Sequence, residues 1–166
     1  MSNIECPDFL ELIKRNFGYL FDLYGFETVY SKSAQGGQNC LIVLESKDCR
    51  IKFYRSQGEA NLLFGTLSAP LGWEDVIDGT RHWYFARGII DFVQKNPVNA
   101  KELLNQTRRS LTEEEQLAEL SVKLKPICKQ IIQLFKGDNI KQWIKEYEKF
   151  EQEQDEEFQR QFQNLS

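Results

Sequence analysis

His82 is the single histidine among 166 residues, so neither a two-histidine metal site nor a histidine dyad can form within one chain. A Ser-His-Asp or Cys-His relay would have to run through that one imidazole. Asp78 and Thr80 stand close to it in sequence, but no G-x-S-x-G elbow accompanies them. His82 therefore reads as a residue in the first turn of a helix, beside Trp83. Cys6, Cys40, Cys49 and Cys128 are far apart and make no C-x-x-C pair, which removes zinc-knuckle and thioredoxin spacing. Cys40 and Cys128 sit among aliphatic residues, where a free thiol behaves as a small hydrophobe. All four are expected to be reduced thiols in a cytoplasmic protein, with a Cys40–Cys49 bridge conceivable across a hairpin. Gly36-Gly37 lacks both the G-x-G-x-x-G order and a following Lys-Ser/Thr, and reads as a turn rather than a phosphate cradle.

Carboxylates could act without histidine. Glu74, Asp75 and Asp78 fall within five positions of one another, flanked by Trp73, Trp83 and Tyr84. Acids pressed against aromatics can have raised pKa values or hold a divalent ion. The alternating Asp/Asn pattern of a calcium loop is absent, and an ordinary acidic loop accounts for the same residues. No catalytic residue, cofactor or metal site is assigned.

A second constellation is better suited to contact than to chemistry. Trp73, Arg81, His82, Trp83, Tyr84 and Arg87 concentrate the residue types that dominate interaction hot spots, because each joins large contact area to a polar handle. The competing account is that Trp73 and Trp83 staple the sheet to the following helix as core. Neighbouring helical side chains diverge by about 100°, so a helix cannot bury Trp83, Tyr84 and Phe85 on one face. A partner-binding patch around Arg81, Tyr84 and Arg87 is expected.

The net charge of −4 is unevenly spread: residues 1–145 carry +1 and residues 146–166 carry −5. A nearly neutral body offers no broad basic surface for phosphate neutralisation, so nucleic-acid binding is not expected, although Arg108-Arg109 forms a local basic pair. No stretch reaches the roughly 18 apolar residues of a membrane span, and the amino terminus reads as lacking an export leader. The acidic tail reads as a solvated helix end, a surface for a second copy, or an offer of negative charge to a basic partner. Phe150, Phe158 and Phe162, at helical spacing, are the candidates for self-association as a homodimer.

The elements that must position these groups follow from periodicity. Pro7 to Tyr24 carries an apolar stripe of period 3.6, with Pro7 at a first helical position and Gly25 as a left-handed cap. The period then falls to two. Strands are expected over Phe26–Ser33, Cys40–Leu44, Cys49–Tyr54 and Asn61–Leu67, joined by connections too short for parallel crossovers. Leu71 to Gly79 is expected to be a loop or short turn of helix holding Trp73, and Arg81–Lys95 a helix. Asn99 with Glu102 and Thr112 with Glu115 mark the next helix starts. Leu117 to Phe135 forms a long stripe that Pro126 should divide. A final helix opens after Gly137, docked through Ile140, Trp143, Ile144, Tyr147 and Phe150, then frayed or projecting.

The expected fold is α+β: an N-terminal helix on a four-stranded antiparallel meander, then about four C-terminal helices. Residues 1–150 form one domain, with helix plus meander over 1–68 and the helical part over 80–150; residues 151–166 are a Gln/Glu-rich tail. The run of helix, Gly-Phe corner, Gly-rich turn and meander (Tyr24-Gly25-Phe26, Gly36-Gly37, Ile51-Lys52-Phe53) resembles small uncharacterised bacterial proteins, some grouped with toxin-immunity families. That resemblance spans about the first hundred residues. It implies a cytoplasmic, non-catalytic binder of another protein. The expected function is a non-enzymatic protein-interaction module; the alternative is a small enzyme or small-ligand binder using an acidic-aromatic pocket near Trp73, Glu74, Asp75 and Asp78.

Overall fold

The computed structural model describes residues 4–108 and 110–165. Arg109 and the side chain of Arg108 lie outside the described residues, and so does the basic pair they would form. The chain opens with α1 (Pro7–Asn16) and α2 (Gly18–Asp22). The single helix expected over Pro7–Tyr24 is broken at Phe17, whose backbone leaves helical geometry (φ −124°) as its ring packs edge-on to Phe53, 5.0 Å away. The weak helix former Gly18 follows directly. Gly25 takes the left-handed conformation foreseen for it, φ 69°.

An antiparallel sheet follows: β1 (Glu27–Ala34), β2 (Asn39–Glu45), β3 (Arg50–Ser56) and β4 (Glu59–Gly65), neighbours in chain order, with a fifth strand beyond β4. β1 carries an irregularity between Thr28 and Tyr30. The β3–β4 hairpin closes through Gln57-Gly58, both at positive φ, as a two-residue turn of matching twist requires.

The fifth strand, β7 (Trp83–Phe85), was not expected. It pairs with β4 through Leu63, Phe64 and Gly65, where a helix over Arg81–Lys95 had been anticipated; α3 begins only at Ala86 and runs to Gln94. A strand sends successive side chains to opposite faces. Trp83 and Tyr84 can therefore both be buried, one on each side of the sheet, as no helix would permit. Before β7, a small hairpin of β5 (Val76–Ile77) and β6 (Thr80–Arg81) turns at Asp78-Gly79, both again at positive φ.

The remaining helices are α4 (Ala100–Arg108), α5 (Glu113–Leu124), α6 (Cys128–Lys136) and α7 (Ile140–Gln163). α5 starts on the expected capping box, Thr112 and Glu115 exchanging two hydrogen bonds of 3.1 Å. Pro126 divides the long stripe as foreseen, through a 3-10 turn at Lys125–Ile127. α7 is continuous, and its far half is anchored: the Gln161 amide donates to the Val98 carbonyl and accepts from the Ala100 N–H.

Helices cover one face of the sheet. Phe9, Ile13, Phe17, Ile42, Phe53, Leu62, Phe64 and Tyr84 meet Leu117, Leu124, Ile131, Phe135, Trp143 and Tyr147 in the main core. Gly88 on α3 lets α7 approach closely, since a Cβ there would stand 2.2 Å from the Tyr147 hydroxyl. Cysteine chemistry departs from expectation. Cys6 and Cys40 form a disulfide across 34 residues of chain, so the four are not all reduced and Cys40 does not pair with Cys49. The fold brings the start of α1 onto the start of β2, a proximity that strand order alone does not reveal. The bridge also holds Glu5 along the outer edge of β1, where its carboxylate accepts from the Ser33 N–H and hydroxyl.

Candidate functional site: the lidded face of the sheet

Among the described residues, no helix packs on the second face of the sheet. Alternation places Tyr30, Leu41, Val43, Lys52, Tyr54, Leu63, Trp83 and Phe85 there, and part of it forms a small core of Val43, Leu63, Ala69 and Trp83. The cover is the segment 66–82, a lid whose backbone is grasped by three side chains reaching up from the strands. Arg50 donates to the Ala69 carbonyl at 2.5 Å. The Trp83 indole N–H donates to Pro70, 2.9 Å. Lys52 Nζ donates to Gly72, 3.2 Å, and to Asp75 Oδ1, 2.6 Å. Gly65 makes room for this arrangement, because a Cβ there would lie 2.8 Å from both Ala69 and the Trp83 ring.

Lys52 is the least ordinary residue of the fold: only 1% exposed, at the centre of a central strand. Its ammonium lies 4.8 Å from the centre of the Trp83 ring. Burial pulls its pKa below the usual lysine value, and the Asp75 carboxylate opposes that shift without cancelling it. Strand alternation puts Arg50, Lys52 and Tyr54 on one face of β3. That a lid would seal Lys52 in was not foreseen.

Beside the lid lies an open cleft of about 370 Å³, lined by Leu41, Tyr54, Ser56, Gln57, Glu59, Trp73, Asp75 and Phe85. Trp73 and Phe85 keep 41% and 39% of their surfaces exposed. Tyr54 donates its hydroxyl to Glu59 Oε1, 3.1 Å. Burial first, and the Glu59 carboxylate next, push the Tyr54 pKa up, so the phenol stays protonated. Both charged side chains lining the cleft are acids. Asp75 is balanced by Lys52, and Glu59 sets the residual negative charge.

The anticipated residues separate accordingly. Of the acidic trio, only Asp75 reaches the cleft. Glu74 is exposed, and Asp78 serves the β5–β6 turn at φ 51°. Among the described residues, no three His, Cys, Asp or Glu side chains come together so as to hold a metal ion. Of the aromatic-basic group, Trp73 forms a wall of the cleft, whereas Trp83 and Tyr84 are buried. Arg81 is half-buried, paired with both carboxylate oxygens of Glu151 at 2.8 and 3.2 Å and stacked 4.4 Å from the Tyr84 ring. The backbone N–H of His82 donates to the Asp75 carbonyl, 2.8 Å, closing the base of the lid. Arg87 is exposed on α3 and faces a different groove of about 670 Å³, shared with Asp91, Glu102, Leu103, Phe150 and Phe158. Phe150 is engaged edge-on with Phe92, 5.6 Å. Phe158 stacks on Phe162, and Phe162 is 48% exposed.

Sequence reasoning missed Phe85, Tyr54 and Glu59 as cleft residues. The signal for Phe85 was present in the alternation of Trp83 and Phe85 about Tyr84. Comparisons with protein-family models, with curated proteins and with solved structures return no match.

Proposed function

We propose that this chain is a non-enzymatic protein-interaction module and that the lid-side cleft is its contact surface. One observation carries the reading: Trp73 and Phe85 stand open at the mouth of a cleft whose frame is pinned by Arg50, Lys52 and Trp83. Large aromatics carried on a folded frame are what interface anchors need. The resemblance to small uncharacterised bacterial proteins, some of them grouped with toxin-immunity families, implies the same class of function. The alternative, an enzyme or small-ligand binder using Trp73, Glu74, Asp75 and Asp78, keeps support from Trp73 and Asp75 in one cleft. It loses support where Glu74 and Asp78 turn away and Asp75 is engaged by Lys52.

Among the described residues no helix is long and apolar enough to cross a membrane. The expectation of a cytoplasmic protein drew on four reduced thiols and on the family resemblance; the Cys6–Cys40 bridge removes the first of these, since disulfides belong to oxidising compartments in most organisms. Self-association through α7 draws support from Phe162 alone, since Phe150 is already packed on Phe92.

The test is capture from the native host with the full chain and with the Trp73→Ala/Phe85→Ala variant, circular dichroism checking the fold. A partner retained by the natural chain and lost by the variant supports the reading. A partner held equally by both places the contact elsewhere.

A further inference from the structure

We infer that the cleft receives the guanidinium of an arginine side chain from the partner protein; this rests on the cleft being the contact surface. The charge argument is direct. Glu59 and Asp75 are the charged side chains lining the cleft, and both are acids. Lys52, which touches Asp75, is sealed beneath the lid with its ammonium committed to Asp75 Oδ1 and the Gly72 carbonyl. Lys32 stands opposite Leu41 in register but outside the lining of the cleft, so an anionic ligand entering the cleft would meet the carboxylates first. A cationic one meets Glu59, whose Oε1 is held by the Tyr54 hydroxyl so that Oε2 remains to accept.

The aromatic surfaces decide between cations. An ammonium is compact and strongly hydrated, and gains least from leaving water. A guanidinium is flat, weakly hydrated, always charged, able to stack on aromatic faces and to fork onto a carboxylate. Trp73 and Phe85 supply open aromatic surface and Glu59 the carboxylate. The volume of about 370 Å³ suits one long side chain rather than a folded element. Asp75 contributes less, because its pairing with Lys52 leaves that end of the cleft close to neutral.

The experiment uses the full chain, with the Trp73 indole resonance assigned through Trp73→Phe. It is titrated with three blocked peptides, acetyl-Gly-Arg-Gly-amide and its lysine and citrulline counterparts. Citrulline keeps the shape of arginine and loses the charge. The arginine peptide is expected to shift the Trp73 resonance and to bind about threefold to fivefold more tightly than the citrulline peptide, the factor one exposed ion pair supplies. Glu59→Gln, an exposed substitution, should remove most of that difference, as should high salt. If citrulline matches arginine while Trp73 still responds, or if Glu59→Gln changes nothing, the guanidinium assignment falls and the cleft remains the contact surface. If no peptide moves Trp73 while the captured partner still depends on Trp73 and Phe85, the assignment falls alone. If that dependence is absent too, the underlying reading falls with it.

Discussion

Removing the carboxylate of Asp75 and leaving Lys52 in place strands an ammonium under the lid. Asp75→Asn keeps the shape and deletes the charge. Breaking one partner from a buried pair costs about 3–5 kcal/mol. Here the cost should sit at or below the lower end, about 2–3 kcal/mol, because Asp75 is a third exposed and Lys52 keeps the Gly72 carbonyl and the Trp83 ring, a desolvated cation–π contact of about 2 kcal/mol. There is also a ceiling. At pH 7 the amine can shed its proton, which costs about 1.4 kcal/mol per unit below 10.5, or about 5 kcal/mol in all. The double variant Lys52→Met/Asp75→Asn removes both charges together and should fall within about 1.5 kcal/mol of the natural chain, since replacing both members of a buried pair by uncharged groups is often neutral. The double variant should therefore recover most of what Asp75→Asn loses.

The same pair has a pH signature. Folding lowers the Lys52 pKa below 10.5, so between the folded value and 10.5 the unfolded chain binds more protons and stability rises with pH. Below that window the penalty is constant. Buried tyrosines such as Tyr54 and Tyr147, with raised pKa values, act in the opposite sense above pH 10. The difference between the natural chain and Lys52→Met isolates the lysine. Urea unfolding at pH 7, 8.5 and 10 measures it. A loss under 1 kcal/mol in Asp75→Asn, with no added pH dependence relative to the natural chain, would refute the account of Lys52 as a buried charge held by Asp75.

Replacing Cys6 and Cys40 together by alanine frees a 34-residue loop and should cost about 4 kcal/mol by the chain-entropy relation, read as a drop in urea midpoint that reductant reproduces in the natural chain. Gly88→Ala places a methyl 2.2 Å from the Tyr147 hydroxyl and should cost about 1–3 kcal/mol through overpacking, seen as a lower thermal midpoint. The Cys49 and Cys128 thiols are buried and pushed up to about 12 by that burial. They should resist a thiol reagent at pH 8 in the folded chain and react once urea unfolds it. Thr112→Ala, deleting the capping box of α5, should cost about 1 kcal/mol in the same urea titration.

Several elements were legible because their signals are local. The capping box at Thr112, the break at Pro126, the left-handed Gly25 and the meander of short hairpins each depend on residues within a few positions of one another. The Asp78-Gly79 turn was equally local, since Asp-Gly is a strong hairpin signal, but reading Asp78 for its carboxylate hid its backbone role. Trp83, Tyr84 and Phe85 were misread because three consecutive aromatics have no period of their own; β4 decided it, by offering an unpaired edge to which they could bond.

By itself the sequence determined the class of fold and the presence of a single imidazole, because periodicity and composition state these directly. Tertiary structure decided the rest. A lid made of 66–82 folds back on strands twenty residues earlier, turning Lys52 from a surface lysine into a buried one. Chain reversal also brings Cys6 to Cys40, and sets Trp73, Phe85 and Glu59 around one cleft. Such contacts join residues that no local pattern links; they exist only once the strands have paired and the space above them has been filled.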